Sequence, residues 1–348
     1  MNYKNILLKP TSTIKEALQI IDTGAKQIAL VVDEDEKLVG TLTDGDIRRG
    51  LLNNLSLEDS IEDIIFKNPT VCTMEDTKED ILEIAINKKL YQIPVVDKSG
   101  KLIGIKEVDE LLKPKIKPNK VILMVGGLGS RLRPLTDEIP KPMLKVGNKP
   151  ILETIILNFK KYGFINIVLC VNYKSEIIKN YFKNGSNFGV NIEYIYEEKR
   201  MGTAGALSLL KEKQPKESFF VMNGDLLTNV NFEHLLTFHQ NHNAKATMAV
   251  REYDFQIPYG VVNIENENIK SIEEKPIHKF FVNAGIYVLD SSCIELIPKD
   301  EFYDMPTLFE KMIEMKNTTV SFPLREYWLD IGQMDDYKKA NYEYSEVF

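Results

Sequence analysis

The run GGLGSRLRPLTDEIPKPMLKVGNKPILE occupies residues 126–153 and follows KVILMV, the apolar stretch Lys120–Val125. An apolar stretch that ends in glycines reads as a buried parallel strand whose backbone turns sharply at its C-terminal end. Glycines at such a turn let main-chain N–H groups approach a phosphate closely. Arg131 adds a permanent cation with bidentate geometry. Lys141 stands between Pro140 and Pro142, which are expected to hold the backbone extended and aim the lysine. A nicotinamide-binding fingerprint would need glycine where Leu132 stands, and a Walker-type loop would need Gly-Lys-Ser/Thr; the sequence has neither.

Beyond this turn the chain alternates. Ile151–Gly163 reads as a helix closed by glycine, Asn166–Val171 as a strand and Ser175–Phe182 as a helix. A strand at Ile192–Tyr196, a helix over Ala204–Lys211 and a strand at Phe219–Met222 follow. This βαβα order predicts an α/β, doubly wound, mostly parallel sheet covered on both faces, with ligands at the C-terminal strand ends.

Upstream, residues 1–113 repeat themselves at an offset of 64. Thr13 and Thr77 each open an amphipathic helix with an acid three positions on, Glu16 and Asp80, a capping-box spacing. Ile14, Ala17, Leu18 and Ile21 form the apolar stripe of the first helix; Ile81, Ile84 and Ala85 form that of the second. Short buried strands end at Asp33 and Asp97, and a second strand follows with Gly40 matching Gly104. Such a repeat implies two copies of one small unit packed face to face. The acidic cluster Asp33–Glu36 reads as a turn. Lys113–Asn119 (KPKIKPN) is charged and carries two prolines, so residues 114–118 are expected as a linker between 1–113 and 119–348.

Composition bounds the function. The 348 residues are 43% hydrophobic and 27% charged, values of a chain that buries real cores. A net charge of −7 is poor for tracking nucleic acid or an anionic membrane. Residues 1–113 hold 15 Lys/Arg against 21 Asp/Glu, so a site for a small polyanion is expected in the nearly neutral remainder. The sequence has no long apolar span and no signal-peptide pattern, and its three cysteines are widely spaced; it reads as cytoplasmic, with free thiols. His239 and His242, at i,i+3 spacing, read as a solvated helix face.

The run 126–153 resembles the signature of the sugar-1-phosphate nucleotidyltransferases, and the resemblance extends over about residues 119–340. By position it implies that Gly126, Gly127 and Gly129 embrace the nucleotide, and that Arg131 and Lys141 stabilise charge on the triphosphate. Further fragments follow in family order. NGD (Asn223–Asp225) implies Asp225 as a magnesium ligand, and WLDIG (Trp328–Gly332) implies Asp330 as the second, with Mg²⁺ as cofactor. EEKP (Glu273–Pro276) implies Glu274 on sugar hydroxyls and Lys275 on the sugar phosphate; NAGIY (Asn283–Tyr287) implies a strand lining the sugar pocket through Asn283. Gln333 and Met334 depart from the Thr-Pro that often follows, a change expected to affect the loop rather than the chemistry. GTAGAL, within Glu197–Leu207, resembles the guanylyltransferases; Gly202 and Thr203 then belong to the nucleotide site and GTP is favoured over UTP or CTP.

The implied reaction is attack of a sugar-1-phosphate oxygen on the α-phosphorus of a nucleoside triphosphate, releasing pyrophosphate. The nucleophile is already an anion, in accord with the lack of a Ser/His/Asp or Cys/His arrangement. Like charges 4 Å apart cost roughly 4 kcal/mol at an effective dielectric of about 20, so catalysis must be positioning plus neutralisation.

Residues 1–113 resemble a tandem pair of cystathionine-beta-synthase (CBS) domains. In that family a Gly-x-x-Thr/Ser-x-x-Asp run binds an adenosine nucleotide, and Gly40, Thr43 and Asp46 fit it. In the second repeat the matching positions are Glu107 and Glu110, so at most one half-site is equipped. The alternative is a module for packing or dimerisation, and a homo-oligomer is expected. A CBS pair ahead of a guanylyltransferase resembles the glucosamine-1-phosphate guanylyltransferases of bacterial legionaminic acid synthesis, which implies glucosamine 1-phosphate as the sugar. Two other readings stay open: uridylyl or cytidylyl transfer to another phosphorylated alcohol, and a non-catalytic ligand sensor. Arg131, Lys141, Asp225 and Asp330 are all present, against the second.

Overall fold

A computed structural model describes residues 3–24, 26–210 and 214–348, and the chain divides into two compact units, Met1–Pro114 and Lys115–Phe348. No helix among the described residues is long and apolar enough to cross a membrane.

The first unit is built twice from the same local rules. Helices Ile14–Gly24 and Lys78–Lys88 both begin at the expected capping boxes: Thr13 N–H donates to Glu16 and Thr77 N–H to Asp80, with each threonine hydroxyl accepting from the acid's N–H. Strand Ile28–Val32 pairs antiparallel with Leu38–Thr43, and Gln92–Val96 with Leu102–Glu107; both ladders slip at the same place, before the equivalent residues Val32 and Val96. The turns match too. Asp33 Oδ1 accepts from the N–H groups of Asp35 and Lys37, and Asp97 Oδ1 from those of Ser99 and Lys101. The repeats exchange backbone bonds reciprocally, Leu38 N–H to Gly100 O (3.1 Å) and Leu102 N–H to Glu36 O (3.0 Å), and share a core of Ile6, Ile28, Leu30, Val32, Leu102 and Ile105.

The second unit is a seven-stranded sheet with the order 191–196, 164–171, 117–124, 219–223, 277–289, 246–256, 319–324. Only Ile277–Leu289 runs against the rest. Alternate residues feed two cores. Val121, Leu123, Phe220 and Met222 pack under the helices Ile151–Lys161, Ser175–Phe182, Phe232–Asn241 and Met334–Val347. Ile122, Val168, Phe219 and Val221 face the helix Met305–Glu314 and the short turns Gly205–Leu209 and Ser291–Leu296. The stretch expected as a linker is partly strand: Lys117 pairs with Phe164, and the ladder is irregular between Lys117 and Lys120, so Pro118 interrupts no regular rung. The expected helix at 204–211 is a 3₁₀ turn over Gly205–Leu209, tied down by Ala204 and Gly205 N–H groups donating to Tyr303 O; Lys211 lies outside the described residues.

Phe159 anchors the larger core, stacked on Phe232 at 3.6 Å and edge-on to Phe164 and Phe220. Phe159→Ala is expected to cost about 3–5 kcal/mol, read as an earlier urea midpoint for this unit.

Candidate active site

The sheet's winding reverses between the strands Lys117–Met124 and Phe219–Asn223, and the crevice beyond their C-terminal ends is where such sheets bind ligands. Both ends carry sequence-predicted residues. Gly224 N–H donates to Met124 O (2.9 Å), which fixes the Asn223–Asp225 turn beside the glycine loop. The chain then pairs Leu226–Thr228 antiparallel with Trp328–Asp330, setting Leu226 opposite Asp330, while Ile331 N–H donates to Asp225 O (3.1 Å). A short ladder thus makes neighbours of two aspartates remote in sequence.

Lys141 meets the first of them: its Nζ lies 2.5 Å from Asp225 Oδ2, and the lysine is 7% exposed. Its backbone is not extended, as the flanking prolines suggested, but a 3₁₀ turn, with Met143 N–H donating to Pro140 O (2.8 Å). Pro140 stays extended ahead of the turn, and Pro142 sits inside it, where its missing N–H costs nothing. Arg131 lies near the second aspartate, close enough for its charge to act on the carboxyl. A Cβ placed on Gly332 would lie 3.7 Å from Arg131 Nη1 and 3.9 Å from Asp330 Oδ1, so guanidinium and carboxylate share one small space. Arg131 also lines a cleft of about 410 Å³ with Gln333, Met334 and Asp335. The glycine loop closes over Lys141: Gly129 has φ +64°, and a Cβ there would stand 2.8 Å from Thr136 and 3.0 Å from Lys141. Gly127 is open, with no neighbour within 4 Å of a Cβ position.

Burial first, then the charge of Asp225, pushes the Asp330 carboxyl above the usual carboxylate range; Lys141 and Arg131 pull it back. The residue as a whole keeps solvent access, so the crowding is of the carboxyl itself. Asp225 Oδ1 and Asn223 Oδ1 are buried acceptors without a hydrogen-bond partner. Among the described residues no cluster of three or more His, Cys, Asp or Glu forms a full metal cage. Two carboxylates and an orphaned amide oxygen suit a hard cation that takes its remaining ligands from phosphate and water.

Glu197 is a residue sequence reasoning quoted but did not assign. It follows the edge strand Asn191–Tyr196, and its Oε1 lies 2.9 Å from where a Cβ on Gly126 would stand. Burial pushes its carboxyl up, opposed by the Met201 N–H. The signal was its place one residue past an apolar strand, at a C-terminal end. Gly202 (φ +76°) and Thr203 follow, but the Thr203 hydroxyl is engaged: it contacts Asp304 Oδ1 at 3.2 Å and accepts from Met305 N–H at 2.8 Å. These contacts hold the start of the helix Met305–Glu314 against this loop.

Asn283 opens a bulge in the antiparallel strand. Its Oδ1 accepts from Gly285 N–H (2.9 Å), its Nδ2 donates to the Tyr287 hydroxyl (2.7 Å), and a Cβ on Gly285 would stand 2.9 Å from Asn223 Nδ2. Trp328 Nε1–H donates to Ala284 O (2.8 Å), joining this bulge to the Asp330 strand. Glu274 and Lys275 are not gathered with these groups by any described contact. They lie at the exposed far end of the same ribbon, with Lys275 at φ +47° and Gln256 donating to its carbonyl. Gln333 is the N-cap of the final helix, its N–H donating to Asp336 (2.8 Å).

His239 corrects the reading of a solvated face. It is buried between Thr247 Oγ1 (2.9 Å) and Ser218 Oγ (3.2 Å), and burial holds its pKa down, whereas His242 is exposed. The helix turns His239 toward the sheet, where two hydroxyls satisfy it.

In the first unit, Thr43 and Asp46 line a cleft of about 510 Å³ with Lys88, Lys89 and Tyr91 of the second repeat. Asp46 Oδ2 accepts from the Thr43 N–H (2.8 Å) and hydroxyl (2.6 Å), and Asp46 Oδ1 from Arg49 (2.6 Å).

Comparison with known proteins agrees with this geometry. The nucleotidyl transferase family model matches residues 120–347, and the CBS domain model matches residues 1–53 and 61–105. The chain belongs to the nucleotidyl transferase family and carries a CBS pair ahead of it. It is 36% identical over 231 residues to a mannose-1-phosphate guanyltransferase of Candida albicans, covering 63% of this chain and 62% of that protein. The chain thus spans less than two thirds of the curated relatives it matches. Among solved structures, a Bacillus anthracis protein classed as a glucose-1-phosphate thymidylyltransferase covers 66% of this chain and 96% of its own, at 25% identity and TM-score 0.55. HddC from Yersinia pseudotuberculosis, solved in complex with GMP-PN, covers 65% of this chain and 99% of its own, at 26% identity and TM-score 0.51.

Asp330→Asn is expected to lower kcat on the order of a hundredfold. It should also raise the melting temperature slightly at neutral pH, because it removes a crowded like charge. The carboxyl's pKa is raised in the fold, so its ionisation opposes folding as pH rises, and the gain should fade as pH falls and wild-type Asp330 protonates. Melting curves of both proteins from about pH 4 to 8 check this.

Proposed function

We propose that this chain transfers GMP from GTP to a hexose 1-phosphate, releasing pyrophosphate, with Mg²⁺ held by Asp225 and Asp330. The observation that carries the reading is the convergence of Arg131, Lys141, Asp225 and Asp330 at one topological switch point. Mg²⁺ would supply charge neutralisation between the reacting phosphates. Lys141 and Arg131 would counter charge on the leaving pyrophosphate, a reading supported by the open space beside the Gly127 main chain. Asn283, which holds Gly285 next to Asn223, is assigned to the sugar acceptor. Glu274 and Lys275 keep their assignment to the sugar phosphate only if the ribbon bearing them reaches this crevice, so Lys275→Ala should raise KM for the sugar phosphate and leave KM for GTP unchanged.

Glu197 favours guanine. An ionised carboxylate accepts from both the N1–H and the N2 amino group of guanine, whereas uracil flanks its single N–H with two acceptors and cytosine presents N3 and O2 acceptors. GMP-PN in a structural neighbour and the guanyltransferase names of the relatives support the same base. For the sugar, those names favour mannose 1-phosphate, while the two-part architecture favours glucosamine 1-phosphate.

Purified protein with Mg²⁺, each of GTP, UTP, CTP and dTTP, and each sugar phosphate should release pyrophosphate with GTP alone; turnover with another nucleotide and not GTP refutes the guanylyl assignment. Chelation should abolish turnover and Mg²⁺ restore it. KM for GTP should rise as pH falls, because the raised Glu197 pKa brings its protonation closer to neutrality, and Glu197→Gln should flatten that dependence while raising KM about tenfold or more. The Thr43–Asp46 cleft is assigned an adenosine nucleotide on the strength of its Gly40–Thr43–Asp46 pattern, its volume and its two lysines.

A further inference from the structure

The offset of 64 assigns every residue of the open cleft a counterpart in the other half of the first unit. Thr43 corresponds to Glu107, Asp46 to Glu110, Leu90 to Lys26 and Lys88 to Gly24. In the open cleft Thr43 faces Leu90 across the repeat boundary, both lining the cavity. At the counterpart positions the same boundary is crossed by an ion pair: Lys26 Nζ meets Glu107 Oε1, with the two side chains only 18% and 25% exposed. Glu110, in place of Asp46, is paired to Lys113.

These exchanges act in one direction. A hydroxyl that can donate to phosphate has become a carboxylate that can only accept and repels an anion. The cation at Lys88 has become a glycine. The cation that Lys26 brings is already engaged, and the pair joins the two walls that a ligand would have to part. Most of both side chains is withdrawn from water, so separating them leaves two poorly hydrated charges.

We infer that the first unit holds one nucleotide site per chain, in the Thr43–Asp46 cleft, and that the Lys26–Glu107 ion pair latches the counterpart cleft against a second nucleotide. The inference rests on the adenosine-nucleotide reading of the open cleft. A single site makes binding to this unit hyperbolic, with no cooperativity inside one chain.

Calorimetric titration of the full chain with AMP, and separately with ATP, in metal-free buffer tests it. One equivalent per chain is expected, weakened at least tenfold by Asp46→Ala and unaltered in stoichiometry by pH near neutrality. The double variant Lys26→Leu/Glu107→Thr replaces the latch pair by the residues at the matching positions of the first cleft and should raise the AMP stoichiometry from one to two. Its melting curve is recorded first; if it does not fold, Glu107→Gln, which keeps the shape and removes the charge, should admit a second, weaker equivalent. Two equivalents of AMP in the wild type, or one in a folded latch variant, would overturn the latch. Silence from both nucleotides in the wild type would overturn the nucleotide reading itself, and the latch with it.

Discussion

Two carboxylates held side by side at a strand end are an unfavourable arrangement, and much of the second unit exists to impose it. The antiparallel step that sets Leu226 opposite Asp330 and the bond from Ile331 N–H to Asp225 O hold the two main chains next to one another. The Asp330 carboxyl is pushed up first by its burial and then by the charge of Asp225. Lys141 and Arg131 offset it from two sides, each carried on a 3₁₀ turn of the loop that leaves the neighbouring strand. A site so organised is poised for a cation and for phosphate, because each relieves an imbalance already present in the fold.

The rigidity behind that arrangement comes from the sheet. Strands buried on both faces are packed by two separate cores, so the strand ends at Met124 and Asn223 cannot shift independently. The bulge at Asn283–Gly285 is the one place where the antiparallel strand departs from regular pairing next to the site, and it brings the backbone up against Asn223. The ribbon beyond it, residues 251–282, is largely exposed, and this is the part where family resemblance and geometry are furthest apart.

The first unit shows how duplication and divergence separate fold from chemistry. Caps, aspartate turns, ladder slips and the reciprocal backbone exchange are the same in both repeats, because they serve local hydrogen bonding. The cleft residues differ, because no local hydrogen-bonding rule fixes them. One half keeps Thr43 and Asp46; the other places Lys26 against Glu107.

Much of this was legible in the one-dimensional pattern. Periodicity and turn residues determined the strands, the capped helices, the repeat and the parallel sheet, since these depend on neighbours within a few positions. The motif residues Arg131, Lys141, Asp225 and Asp330 were legible as well, through the glycine-rich run and the family resemblance that the later fragments carry in order. What the sequence could not decide was reach. The ion pair of Lys141 with Asp225, the burial of His239, the turn that replaced a helix at Gly205–Leu209, the placement of Glu197 beside Gly126 and the exposure of Lys275 all depend on which distant strand lies alongside. Charge sign and spacing are local properties of the chain. Desolvation, and the distance between groups a hundred residues apart, arise only when the sheet assembles.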